Sequence, residues 1–289
     1  MKARNLVKKF INVVNVETGE IYDEVKVISK EDLERCKQFF EAQREYECKG
    51  MEIKEKYKEN GSFVWLLYNA GKALDLGITS NELTKLIFIS TYMDYNNRLM
   101  LSENKIMRKS DMQQLLKVSE RTFINFWKSI TDSKLLIKKT DSEELYLNTD
   151  LFLRGHTAQS DDMDRIRLYR RSIRKLYKQA KIGEHKLLSY LFQAIPFVNI
   201  NYNIICHNPT ETDLDMVKPM TMADYCGIIG YNSDNCRRLK TMLKKLKLNK
   251  TIVFSFVDNA NGLFCYINPN VYYAGNNWDK VEVLGEFCK

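Results

Sequence analysis

At 289 residues the chain is long enough for one large domain or for two to three small ones. Its 44% hydrophobic and 28% charged residues, with only 4 Pro and 12 Gly, exclude a long disordered or collagen-like protein, and its longest apolar runs, such as FVWLLY, are too short to span a membrane. Lys and Arg exceed Asp and Glu by 45 to 37, a formal charge of +8, so where the surplus sits matters more than its size.

Residues 10–28, FINVVNVETGEIYDEVKVI, hold two β-rich runs around Glu17-Thr18-Gly19, which predicts a hairpin because Gly19 can take a positive φ. Ser29 opens SKED, a capping-box pattern, ahead of the charged periodic stretch LERCKQFFEAQREYECKGMEIKEKYKE. NGSFVWLLYNAGKALDLG then reads as a turn followed by a buried helix.

From Asn81 the elements follow a recognisable order. NELTKLIFISTYMDY is an amphipathic helix and RLMLSENKIM a short β segment. SDMQQLLKV and SERTFINFWKSITDS are two helices with Ser110 and Ser119 as candidate caps, and LLIKKTDSEELYLN is a hairpin turning near Asp141 to Glu144. Helix, strand, helix, helix, strand, strand is the order of a winged helix-turn-helix. After DRIRLYRRSIRKLYKQAK (164–181), read as a basic amphipathic helix with an Ile166, Tyr169, Ile173, Leu176, Ala180 stripe, the order returns. GEHKLLSYLFQAIPF is a helix stopped near Pro196 and NYNIICHNP a strand. TMADYCGII is a short helix, NSDNCRRLKTMLKKLK a long one capped by Asn232, and TIVFSFVDNANGLFCYIN a longer hairpin. LYLNTDLFLRG and CYINPNVYYAG close the two copies, with Asn148 and Asn268 standing 120 residues apart. DMQQLLKVSERTF also lies over DYCGIIGYNSDNC without a gap.

The expected fold class is therefore α+β, mainly helical: tandem winged helix-turn-helix domains joined by a basic helix, with an N-terminal hairpin-plus-helix extension. The expected boundaries are 1–80 for the extension, 81–160 for the first winged helix, 161–182 for the linker helix, 183–275 for the second winged helix and 276–289 for a tail.

This arrangement points to double-stranded DNA, since the second helix of each pair leaves one face for the major groove. In the second copy Cys236, Leu239, Leu243 and Leu246 form the inward stripe, while Asn235, Arg238, Thr241 and Lys245 face away, flanked by Arg237, Lys244 and Lys247. Arg can bridge guanine O6 and N7, Asn can pair with adenine, and Lys at the margin suits phosphates. In the first copy Phe123, Phe126 or Trp127, and Ile130 point inward, and Arg121, Asn125 and Lys128 outward; Lys138 and Lys139 sit at the base of the wing. In the joining helix Arg170, Arg171 and Arg174 are candidate phosphate contacts. A solvated linker helix and a membrane-surface helix are the other readings of that stretch.

No catalytic, metal or cofactor site is expected. His156, His185 and His207 form no His-x-His cluster, and GxxxxGK[ST], GxSxG and HExxH are all missing from the sequence. Cys206-His207 lacks the tight ligand spacing of a zinc site, because Cys226 and Cys236 lie ten residues apart on helices. The 16 Tyr read as core or stacking residues. The seven cysteines are an odd number with no CxxC pair, and MKARNLVKKFINVVNV turns polar too early for a secretory leader, so the expected setting is cytoplasmic with reduced thiols.

VETGEIYDE, NGSFV and LYLNTDLFLRG, spread over residues 10–160, resemble the RepL-type plasmid replication proteins of Firmicutes. The second copy departs from that pattern and is similar to tandem winged-helix initiators that bind repeated origin sequences. The resemblance implies a plasmid or phage replication initiator that binds origin repeats, recruits host replication proteins and performs no chemistry of its own. A transcription regulator of a mobile element and a winged-helix adaptor gripping a host protein are the alternative functions. The sequence leaves the oligomeric state open.

Overall fold

The computed structural model describes residues 9–27, 34, 37, 38, 41, 62–139, 142–155, 163–181, 184–259, 262–275, 284 and 288. The chain divides into two compact units, Met1–Lys56 and Tyr57–Lys289. In the first unit, β1 (Lys9–Val14) pairs antiparallel with β2 (Ile21–Val27). The turn between them places Gly19 at φ 73° and is closed by the Gly19 amide donating to the Asn15 carbonyl at 2.8 Å. The helix expected after Ser29 lies almost wholly outside the described residues.

The second unit opens on β3 (Phe63–Tyr68), where a buried helix was expected. FVWLLY is apolar at every position because both faces of the strand are covered, which removes the alternation that distinguishes strand from helix. Next come α1 (Ser80–Ser90), the hairpin β4 (Met100–Ser102) and β5 (Lys105–Ile106), α2 (Lys109–Leu116), α3 (Glu120–Asp132), and the hairpin β6 (Leu136–Lys138) with β7 (Leu145–Leu147). The short strand β8 (Phe152–Leu153) closes this half.

Then β9 (Asp164–Tyr169) runs into α4 (Arg170–Gln179). The second half is α5 (His185–Gln193), α6 (Met222–Ile229), and a 3₁₀ turn at Ser233–Asn235 leading into α7 (Cys236–Leu243). It ends with β10 (Lys247–Leu248) against β11 (Thr251–Ile252), the hairpin β12 (Phe254–Asn259) with β13 (Gly262–Ile267), and β14 (Tyr272–Tyr273).

The mainly helical expectation is overturned. The chain is 39% helical and 23% strand, a mixed α/β structure with seven helices and several small antiparallel sheets among the described residues. The linker read as one helix over 161–182 is a strand for its first part and a helix only from Arg170 to Gln179. The expected strand NYNIICHNP survives only as isolated bridges, Val198 to Ile205, Ile204 to Tyr266 and Cys206 to Pro219.

One four-stranded sheet, β14-β9-β3-β8, ties the two halves together. Its central pair is antiparallel, with Trp65 opposite Arg167 and Leu66 opposite Ile166. The closing strand of each half lies beside the strand that opens the same half: Phe152 faces Leu66, and Tyr272 faces Leu168. Exchanging the halves leaves the strand order unchanged, which is the signature of a local two-fold. Helices α1 and α5, the first of each half, pack on one another in the same spirit. Val64, Leu66, Ile166 and Leu168 project from the sheet into the common core and are fully buried; each such side chain contributes roughly 1.5–3 kcal/mol.

Capping fixes the helix starts. Thr79 and Glu82 form a reciprocal box at α1, and Thr221 and Asp224 form another at α6. Ser119 caps α3, accepting from the Thr122 amide at 3.4 Å. Ser110 is not the cap of α2; that helix begins at Lys109, and the Asp111 carboxylate accepts from the Arg108 amide at 2.9 Å. Asn232 caps the 3₁₀ turn ahead of α7 by accepting from the Asp234 amide at 2.9 Å.

Candidate nucleic-acid interface

In the first half α2 and α3 meet through Met112, Leu116, Phe123, Phe126 and Ile130, all buried. Phe126 rather than Trp127 completes the inward stripe of α3. Trp127 is half-buried, with the Lys109 ammonium 4.7 Å from its ring centroid. Arg121, Asn125 and Lys128 are exposed on the outer face of α3, and Lys138 and Lys139 are exposed along the hairpin. Lys139 lies 4.9 Å from the Tyr146 ring centroid, which partly anchors it. Two apolar residues that sequence reasoning missed stand among these polar ones: Ile124 is 51% exposed and Ile137 is 49% exposed. Ile124 breaks the polar face of an amphipathic helix, and that was its only signal in the sequence.

A groove of about 640 Å³ runs between α2, α3 and the hairpin, with Arg108, Ile124, Trp127, Lys138 and Glu143 among its lining. It is not uniformly positive, because Arg108 pairs with Glu143 at 3.0 Å. Beneath the hairpin, Arg98 joins Asp94 at 3.1 Å and Glu144 at 2.8 Å, and the Tyr146 hydroxyl donates to Glu144 at 2.8 Å. These bonds hold the Glu144 carboxyl below its ordinary pKa, the Tyr146 bond foremost.

In the second half Leu239, Leu243 and Leu246 are buried and Cys236 is half-buried. Arg237, Arg238, Thr241, Lys244 and Lys245 are exposed. Asn235 is also exposed but sits in the 3₁₀ turn at the mouth of α7, off the helix face where it was expected. The Thr241 hydroxyl donates back to the Arg237 carbonyl at 3.0 Å, so its proton is already engaged. Lys240, unflagged by the sequence reading, and Lys244 lie 5.2 and 5.9 Å from the Phe256 ring centroid, linking α7 to its hairpin.

The basic helix α4 departs most from expectation. Arg170 and Arg174, read as phosphate contacts, are half-buried and bound to the C-terminal end of α1. Arg170 Nε donates to the Thr91 carbonyl, and Arg174 donates from Nε to Thr91 Oγ1 at 2.9 Å and from Nη2 to the Thr91 carbonyl at 2.6 Å. Helix α1 has no basic residue in its own last turn, so these guanidiniums answer the negative end of its dipole. Arg171, Lys175 and Lys178 remain exposed. On the buried side Tyr177 stacks on Phe88 at 3.9 Å and donates to the Leu116 carbonyl at 3.3 Å.

Tyr225 and Tyr272, among the tyrosines read as core or stacking residues, are buried in the core. Tyr225 donates to the Tyr190 carbonyl and Tyr272 to the Leu191 carbonyl, both at 3.0 Å, and burial holds both phenols far above the ordinary tyrosine value. Burial likewise pushes the Cys206 thiol up to about 12. Among the described residues no group of three or more His, Cys, Asp or Glu side chains could hold a metal ion, and no helix is long and apolar enough to cross a membrane. No protein-family model, no curated protein and no solved structure matches the chain.

Proposed function

We propose that this chain binds double-stranded DNA in a sequence-specific manner, reading two nearby segments with α3 and α7, and that it initiates replication of a plasmid or phage from repeated origin sequences. The observation that carries the reading is the pairing of two equivalent helix pairs, α2–α3 and α6–α7, in one compact unit whose halves share the sheet β14-β9-β3-β8. Each pair exposes Arg and Lys on or just past its second helix, and α3 adds Asn125. A local two-fold between the halves suits two half-sites in opposite orientation. Because Arg238 stands where the first half has Asn125, the half-sites would differ in sequence.

The test is a gel shift against DNA from around the chain's own gene. Saturable binding to repeats there, weakened by Arg238→Ala, is the expected result; equal affinity for unrelated duplexes would defeat it. A plasmid deprived of its origin protein and maintained only when this gene is supplied would separate initiation from regulation of transcription. The exposed Ile124 and Ile137 favour one second reading, an adaptor that grips a host protein. That reading predicts partner binding nearly independent of salt.

A further inference from the structure

We propose that the groove between α4 and the start of β3 is a phosphate-binding site separate from α3 and α7. It measures about 540 Å³ and is lined by Ser62, Arg170, Arg171, Arg174, Lys175 and Lys178, with Gln179 at its edge. Five of these side chains are cationic, and no carboxylate figures among the described residues of the lining. The first turn of α4 holds no acidic residue either.

The floor is already organised. Arg170 Nη1 donates to Ser62 Oγ at 2.9 Å, while its Nε and the Nε and Nη2 of Arg174 are fixed on Thr91. The Arg174 guanidinium also lies over the Tyr92 ring, 3.7 Å from its centroid. Held in this way, the two guanidiniums lose little freedom when an anion arrives, and each keeps further N–H groups for it. Arg154 adds a third guanidinium nearby, over the Tyr95 ring at 4.4 Å and bound to the Met93 carbonyl; its buried Nε has no hydrogen-bond partner. Burial, then Arg154 and Arg174, pull Arg170 down to about 10. Among the described residues no carboxylate pairs with Arg154, Arg170 or Arg174, and a phosphate would relieve the repulsion among the three. Lys175 and Lys178 form the rim at helical spacing, able to close on a second phosphoryl group.

A phosphate could reach this groove from a DNA backbone or from a free phosphate compound, and the site rests on the groove alone, whichever duplex reading holds. The experiment is calorimetry of the full chain with pyrophosphate at low salt, set beside duplex affinity measured as a function of salt. One-to-one pyrophosphate binding, weakened about tenfold or more in the Lys175→Gln/Lys178→Gln variant, is expected. Both lysines are exposed, so the variant should keep the native melting temperature. If pyrophosphate competes with duplex and the variant flattens the salt slope by about two, the phosphate comes from DNA. Pyrophosphate binding without competition assigns the site to a free phosphate compound. If duplex binding fails altogether while pyrophosphate still binds, the groove stands and the proposed function falls. Undetectable pyrophosphate binding with an unchanged salt slope, or a folded variant that binds pyrophosphate like the parent, overturns the site.

Discussion

Asn97 and Asn203 occupy the same place in the two halves of the larger unit. Both take a left-handed backbone, at φ 60° and 53°. The Asn97 side chain donates to the Phe152 carbonyl and the Asn203 side chain to the Tyr272 carbonyl, so each reaches the closing strand of its own half. Their own carbonyls accept from the Leu147 and Ile267 amides at 3.0 and 2.9 Å. One residue, through its side chain and its backbone carbonyl, thus fastens the loop after the first helix to both the sheet and the hairpin.

Asn203→Ala should therefore cost about 3 kcal/mol. It removes bonds to the Ile267 and Tyr272 carbonyls, at 3.0 and 2.9 Å, from a fully buried site and places a Cβ-bearing residue without local hydrogen bonding in the left-handed region. Asn203→Gly keeps the backbone freedom and should cost less. Urea midpoints with an unchanged m-value would check both.

The turns between paired helices carry a second comparison. Lys117 at φ 52° and Gly230 at φ 65° both end the first helix of a pair in the left-handed region. Lys117 is exposed, so Lys117→Gly should raise stability by about 1 kcal/mol through relief of that conformation. A Cβ at position 230 would meet nothing within 4 Å, so Gly230→Ala should cost about 1 kcal/mol on conformational grounds alone. Thermal melts of the two variants should move in opposite directions.

The stability of the fold should fall on mild acidification. His185 rests edge-on against Tyr177, with ring centroids 4.5 Å apart, and its imidazole is pushed below the ordinary histidine value by burial, with Lys85 adding to the effect. As pH falls through about 6.5 the unfolded chain takes up this proton before the folded one, so stability present above that pH is lost below it. Between about pH 7 and 5.5 the melting temperature of His185→Phe should drop less than that of the parent chain.

Arg174 and Arg238 should separate stability from binding. Arg174→Ala exposes the end of α1 and should lower stability by roughly 1–2 kcal/mol. Arg238→Ala touches no described hydrogen bond and should leave the melting temperature alone while weakening specific duplex affinity by about tenfold. Melting curves and gel shifts on the same two proteins would decide.

Much of the larger unit could be read from the residues. Periodic apolar spacing located α1, α3 and α7, and the echo at Asn148 and Asn268 marked equivalent places: each side chain donates to a carbonyl before its hairpin, Lys134 or Ile252, and accepts an amide two residues on. What escaped depended on distant chain. FVWLLY has no alternation because it is covered on both faces, and DRIRLY borrowed a helical look from the basic helix that follows it. The roles of Arg170 and Arg174 rest on Thr91, 79 and 83 positions away, so no local pattern could show that they fasten helices together.

The shared sheet also sets a mechanical limit. Since β3 and β9 belong to one hydrogen-bonded ladder, the halves cannot slide apart without breaking strand pairing. On the proposed reading of duplex DNA, a chain built this way would act as a caliper with a fixed jaw: five extra base pairs between the two half-sites, about half a helical turn, would rotate one of them to the far side of the duplex, beyond reach.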